Sequence, residues 1–112
     1  MTRHARVMLH AKVRAGSEQE FEENFKEVTR RMQAAEGHIQ DELIRLPDQD
    51  EPTYIVLSEW LSKEAFLTWF HNPRHHDTTA PISPFWYGHD LKIWELVERL
   101  PRYEPKEPGP DK

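Results

Sequence analysis

Apolar and polar positions alternate through ARVMLHAKV, with Val7, Leu9, Ala11 and Val13 on one side and Met8, His10 and Lys12 on the other. A period of two predicts a strand with one strongly apolar face. Gly16 ends it, and Ser17 with Glu20 three residues later makes a capping-box pattern that predicts a helix start. Phe21, Phe25, Val28 and Met32 then recur at helical spacing, giving one apolar stripe on a helix that reaches about Ala35, with Gly37 as its stop. HIQDELIRL reads as a second strand with mixed faces, and PDQDEP as a turn. TYIVLSEW predicts a third strand, with Tyr54, Val56 and Trp60 on one side and Ile55 and Leu57 on the other. Ser62 is placed to cap a second helix that carries Ala65, Phe66, Leu67, Trp69 and Phe70 and stops at Asn72, before Pro73. DLKIWELVERL predicts a fourth strand, with Leu91, Ile93 and Val97 opposite Trp94 and Leu96.

The predicted order is strand, helix, strand, strand, helix, strand. That is the α+β, ferredoxin-like split βαβ plan, a four-stranded antiparallel sheet with two helices. Two helices cover one face of such a sheet. The third and fourth strands are apolar on both faces, so the second face needs a cover, and a second copy of the chain is the simplest one. The expectation is a two-fold homodimer whose sheets close on each other as a dimeric α+β barrel.

Length sets the domain count. A chain of 112 residues supports one core, placed here in residues 1–100, and the Pro-rich, charged segment PRYEPKEPGPDK (101–112) is expected to be a disordered tail. The net charge of −5, with Lys and Arg scattered along the chain, argues against a nucleic-acid partner. The absence of cysteine excludes disulfides, thiolate metal sites and a cysteine nucleophile. No apolar run approaches a membrane span, and MTRHARVMLHAKV lacks a signal-peptide core, so the expectation is a cytoplasmic protein with no membrane partner.

The chemistry-bearing residues crowd into WLSKEAFLTWFHNPRHHDTTAPISPFWYG, residues 60–88, which holds three of the four tryptophans. His71 and His75 lie four apart, but Pro73 breaks the helix between them, and no HExxH pattern occurs, so no metal site is expected. The four glycines are far apart, and neither a phosphate loop nor a GxSxG elbow is present. Phe66, Trp69 and Phe70 at helical spacing read either as core or as one wall of a flat apolar slot for an aromatic ligand. ISPFWYG reads as a loop that lids such a slot or packs on a partner subunit. The acidic pairs Glu22-Glu23 and Asp41-Glu42 read as solvated faces.

YIVLSEWLSKEAFLTWFHNPRHHDTTAPISPF resembles the signature region of the antibiotic biosynthesis monooxygenase family: a strand ending in Trp60, a capped helix with Ser62 and Glu64-Ala65-Phe66, then Trp69, then Pro73 and His75 in a P-x-H pattern. The continuation His75, Asp77, Thr78, Thr79, Ala80, Pro81 is most similar to members that tailor aromatic polyketides. The resemblance covers residues 5–98. It implies a cofactor-independent monooxygenase that oxidises a phenolic polycyclic aromatic with O2. His75 would be base or hydrogen-bond donor, or else a structural group at the helix end. Trp60 and Trp69 would orient the rings, and Phe66, Phe70, Tyr54 and Trp86 would bind substrate. A non-catalytic binding or accessory protein is the alternative class, with a haem-binding relative behind it. Haem-degrading members carry Asn, Trp and His where this chain has Leu9, Trp69 and Thr79; quinone-forming members carry an Asn where it has Val56.

Overall fold

The structure, a computed structural model, describes residues 2–103. Its elements are β1 (Ala5–Val13), α1 (Glu18–Met32), β2 (His38–Arg45), β3 (Thr53–Trp60), α2 (Lys63–Phe70), α3 (His75–Thr79), a 3-10 segment (Ala80–Phe85) and β4 (Trp86–Glu95). All strand pairs are antiparallel, in the order β2-β3-β1-β4, so the fold is the expected ferredoxin-like one. Of the predicted tail, residues 101–103 are described and exposed; residues 104–112 lie outside the described residues.

Alternation decides which side of the sheet is covered. Ala5, Val7, Ala11 and Val13 of β1 are buried and pair with Trp60, Ser58 and Tyr54 of β3 or with Ile93, Gly88 and Trp86 of β4, so one face carries the core. Against it α1 lays Phe21, Phe25, Val28 and Met32, all buried. Each such side chain contributes about 1.5–3 kcal/mol by leaving water. The other face carries Arg6, Met8, His10 and Lys12 of β1 beside Ile55, Leu57 and Glu59 of β3. Ile44 and Trp94 on this side are about half exposed, at 48% and 50%. His10 stacks there on His89, with ring centroids 5.5 Å apart.

Several boundaries differ from expectation. Ser17 does not cap α1 with its side chain; only its carbonyl is used, accepting from Phe21 N at 2.8 Å. Its backbone sits at φ −106° and ψ 11°, away from the extended conformation a capping side chain needs. Ser62 does cap α2, at φ −160° and ψ 161°, and its Oγ accepts from Ala65 N at 3.0 Å. α1 stops at Met32 and α2 at Phe70, short of Ala35 and Asn72. β4 runs from Trp86 to Glu95 rather than from Asp90 to Leu100. The reason is register: Glu95 already pairs with Ala5, the first residue of β1, so the ladder runs out there. At the other end Val13 pairs with Trp86, which draws the expected WYG loop into the sheet. ISPFWYG is therefore a wall of the core rather than a lid: Ile82 is buried and Phe85 and Trp86 are half-buried. α3 and the 3-10 segment add a layer the two-helix plan lacked.

Two turn glycines separate conformational cost from crowding. Gly16 (φ +89°) has open space where a Cβ would be, whereas at Gly37 (φ +90°) a Cβ would lie 2.6 Å from the Cβ of Ala65. Gly16→Ala is predicted to lose roughly 1–2 kcal/mol, the cost of a left-handed backbone. Gly37→Ala must lose more, because α2 also has to move. Denaturant unfolding of the two variants side by side checks the order.

Candidate active site

A cavity of about 180 Å³ lies between the sheet and the helical layer. Its floor is made of the modest side chains Val7, Leu9, Val56 and Ser58. Phe66, Trp69 and Phe70 of α2 and Phe25, Val28 and Met32 of α1 close it from above. Ile82, Trp86 and Leu91 complete the apolar wall. Gly88 makes room for Trp86, because a Cβ there would fall 2.8 Å from the Trp86 ring and 2.9 Å from the Leu9 side chain. Only four polar residues reach the cavity: Asp41, Ser58, His75 and Thr79. A mostly apolar hollow with a few polar groups is the usual form of a small-molecule site.

His75 stands at the start of α3, after the chain turns at Pro73. Its ring stacks on Phe70 at 5.2 Å and meets Trp69 edge-on at 5.4 Å, while His76 lies 4.0 Å away. Its Nδ1 lies 3.3 Å from the carbonyl of Asn72. A carbonyl only accepts, so in a neutral ring this contact places the proton on Nδ1, with Nε2 as the acceptor. A ring in that form can take up a proton at Nε2. Thr79 Oγ1 donates back to the His75 carbonyl at 3.2 Å and ties the turn together. His71 and His76 are exposed.

The second polar group reverses an expectation. Asp41 is not on a solvated face: its side chain is 4% exposed and that of His38 is 3% exposed. His38 Nε2 lies 2.8 Å from Asp41 Oδ1, and Thr29 Oγ1 donates to Asp41 Oδ2 at 2.8 Å. In a regular strand, residues three apart point to opposite faces. Here the pairing with β3 slips between His38 and Gln40, so that His38 faces Trp60 and Asp41 faces Ser58. This bulge turns both side chains to the helix side. Nothing in the sequence marks a bulge at this point, which is why the dyad was not foreseen.

Five of the seven predicted site residues come together at the cavity: His75, Trp69, Phe66, Phe70 and Trp86. Trp60 and Tyr54 do not line it. Trp60 lies fully buried behind it, its indole N–H donating to Ser58 Oγ at 3.0 Å. Tyr54 sits toward the start of α1, packed on Phe21 at 5.1 Å, with its hydroxyl donating to Glu22 Oε2 at 2.5 Å. Periodicity put both on the correct face but could not say how far along it the cavity reaches.

The family model for antibiotic biosynthesis monooxygenases matches residues 5–80. The chain belongs to the antibiotic biosynthesis monooxygenase family. It is 34% identical over 79 residues to a 42.8 kDa protein of the whiE locus of Streptomyces coelicolor, covering 70% of this chain and 19% of that one. It is 31% identical over 95 residues to protein SchA of Streptomyces halstedii, covering 83% of this chain and 24% of that one. The chain thus spans about a quarter or less of these relatives. Among solved structures it resembles SnoaB, a cofactor-independent oxygenase from Streptomyces nogalater, with a TM-score of 0.73, 18% identity, and coverage of 90% of this chain and 100% of that one. A conserved protein of unknown function from Bacteroides thetaiotaomicron is similar at a TM-score of 0.66 and 14% identity, covering 86% and 100%. These likenesses concern the fold.

Leu9, Val56 and Thr79 all line the cavity. Leu9 and Val56 are apolar, so polar chemistry at this cavity rests on Asp41, Ser58, His75 and Thr79. Among the described residues no helix is long and apolar enough to cross a membrane, and no group of three or more His, Asp or Glu side chains is placed to share a metal ion.

Burial, and then the hydrogen bond to Glu22, push the Tyr54 hydroxyl up to about 12 from its ordinary 10.0. A raised folded-state value means that Tyr54 favours the fold below pH 10.0, and that this contribution is lost as the pH climbs toward about 12. Ultraviolet titration of tyrosinate is predicted to show one of the three tyrosines ionising late. The late step should vanish in Tyr54→Phe; its persistence would assign it elsewhere.

Proposed function

We propose that this protein is a cofactor-independent monooxygenase that oxidises a phenolic, polycyclic aromatic substrate of the polyketide type. The observation that carries the reading is the aromatic-walled cavity with His75 set in its wall. Family membership supports monooxygenase chemistry in general. An apolar cavity of 150 Å³ is known to take a benzene ring. The cavity here, about 180 Å³, therefore suits the reacting ring of a larger fused system, with the remaining rings lying outside it.

The chemistry asks little of the protein. A doubly benzylic CH2 beside a phenolic ring loses one proton to Nε2 of His75 and keeps the electron pair as an enolate-type anion. That anion gives one electron to O2, and the resulting radical and superoxide combine into a C–O bond. The bound peroxide takes up a proton, the second C–H proton is lost, and the O–O bond breaks. One oxygen atom becomes the new carbonyl and the other leaves as water, so CH2 plus O2 becomes C=O plus H2O. The substrate is its own reductant. Trp69, Phe66, Phe70 and Trp86 hold the ring and keep water out, which protects the anion from simple reprotonation. Trp60 and Tyr54 act from outside the cavity, by fixing the elements around it.

The same reading includes a two-fold dimer closed across the outer sheet face, where Ile44 and Trp94 are about half exposed, and a cytoplasmic site of action. Replacement of polar cavity positions by Leu9 and Val56 favours a second reading, a protein that binds such aromatics without oxidising them.

Oxygen uptake with a simple anthrone separates the two. Metal-stripped protein is predicted to accelerate uptake over the spontaneous rate, and His75→Ala to lose roughly 100- to 10,000-fold of that acceleration. Binding, read by tryptophan quenching, without uptake above background would establish the second reading. Unchanged turnover in His75→Ala would remove the base role.

A further inference from the structure

The His38–Asp41–Thr29 cluster, which reaches the cavity through Asp41, has no role in the reading above. An ionised carboxylate offers about four acceptor positions. Asp41 spends one on each oxygen, to His38 Nε2 and to Thr29 Oγ1, both at 2.8 Å. The side chain is 4% exposed, and it forms part of the wall of this cavity and of a second hollow beside Thr29 and Tyr54. Burying a carboxylate is costly unless its acceptor sites are used. Ser58, its register partner on β3, also lines the cavity; its Oγ accepts from Trp60 Nε1 at 3.0 Å, and among the described residues no hydrogen bond joins it to Asp41. Across the rest of the cavity the neighbours are apolar, apart from Thr79 and His75. The acceptor is also held stiffly. His38 is wedged edge-on against the fully buried Trp60, ring centroids 5.2 Å apart, and Thr29 anchors the other oxygen to α1.

We propose that Asp41 is a specificity-determining residue: it accepts a hydrogen bond from a hydroxyl group on the bound aromatic, so that the cavity selects hydroxylated rings over rings of the same shape without the hydroxyl. His38 and Thr29 are positioning residues that hold the carboxylate for that bond. A buried acceptor left without its donor penalises the wrong ligand far more than a lost apolar contact does. This rests on the cavity being the aromatic site, as in the function proposed above, but it concerns binding and does not require turnover.

The test is anaerobic titration of the purified protein with a hydroxyanthrone and with its deoxy parent, followed by quenching of its tryptophan fluorescence, to which the cavity residues Trp69 and Trp86 contribute. The wild-type protein is expected to prefer the hydroxylated compound by about 10- to 100-fold, the range for a hydrogen bond to a charged group. Asp41→Asn keeps the shape of the side chain but turns half of it into a donor, and should bring the two affinities close together. Circular dichroism establishes that the variant is folded. Equal wild-type affinities, binding of neither compound, or an undiminished preference in folded Asp41→Asn would each overturn the proposal. The wild-type comparison stands even where the variant does not fold. A clear preference that Asp41→Asn removes, in a protein that consumes no oxygen, would uphold this inference while removing the oxygenase reading.

Discussion

Burial of the Trp60 indole is the interaction from which the candidate site is built. The ring is fully enclosed at the end of β3, with Phe66 edge-on at 5.5 Å, Trp69 tilted at 5.7 Å and His38 edge-on at 5.2 Å. Its N–H is satisfied by Ser58, so the indole sits in the core without an orphaned donor. Through these contacts one side chain sets the height of α2 over the sheet, the position of two aromatic walls, and the orientation of the histidine that backs Asp41. Removing it would leave a large void and release all three at once. Its influence on chemistry is therefore mechanical, exerted from behind the cavity wall.

The cavity itself comes from a mismatch in side-chain size. Beneath α2 the sheet offers Val7, Val56 and Ser58, while the helices overhead contribute large rings that reach their neighbours before they reach the floor. Phe66 and Phe70 stack at 5.4 Å and Phe66 meets Trp69 at 6.0 Å, so the roof is held by ring-on-ring contact rather than by collapse onto the strands. A close-packed interior does not leave such space without cause. The polar groups at its wall then acquire their importance from scarcity, since each acts in surroundings with few competing partners.

Much of this was legible in the chain. The period-two and helical patterns gave four strands, two helices and the covered face, and the aromatic spacing of Phe66, Trp69 and Phe70 pointed to the cavity roof. What escaped was whatever depends on a local break in regularity. The bulge in β2 carries His38 and Asp41 to one face, a placement that alternation assigns to opposite faces. The slip between β1 and β4 near Met8 and His10, with Asp90 at φ 56°, likewise breaks the alternation within β4. Ser17 shows a further limit: a capping pattern states a possibility, and the backbone at φ −106° and ψ 11° declines it. Tyr54 and Trp60 show that a face is easier to read than a position along it.

One cavity joins an aromatic slot to two separate polar groups, His75 and Asp41. The measurement that bears on it most directly is a crystal structure of the protein soaked without oxygen in a hydroxyanthrone. The ring is expected to lie between Trp69 and Trp86, with its hydroxyl within hydrogen-bond reach of Asp41 and its reacting carbon beside His75. A ligand seated on the outer sheet face, or a cavity filled by its own side chains with the ligand elsewhere, would contradict it.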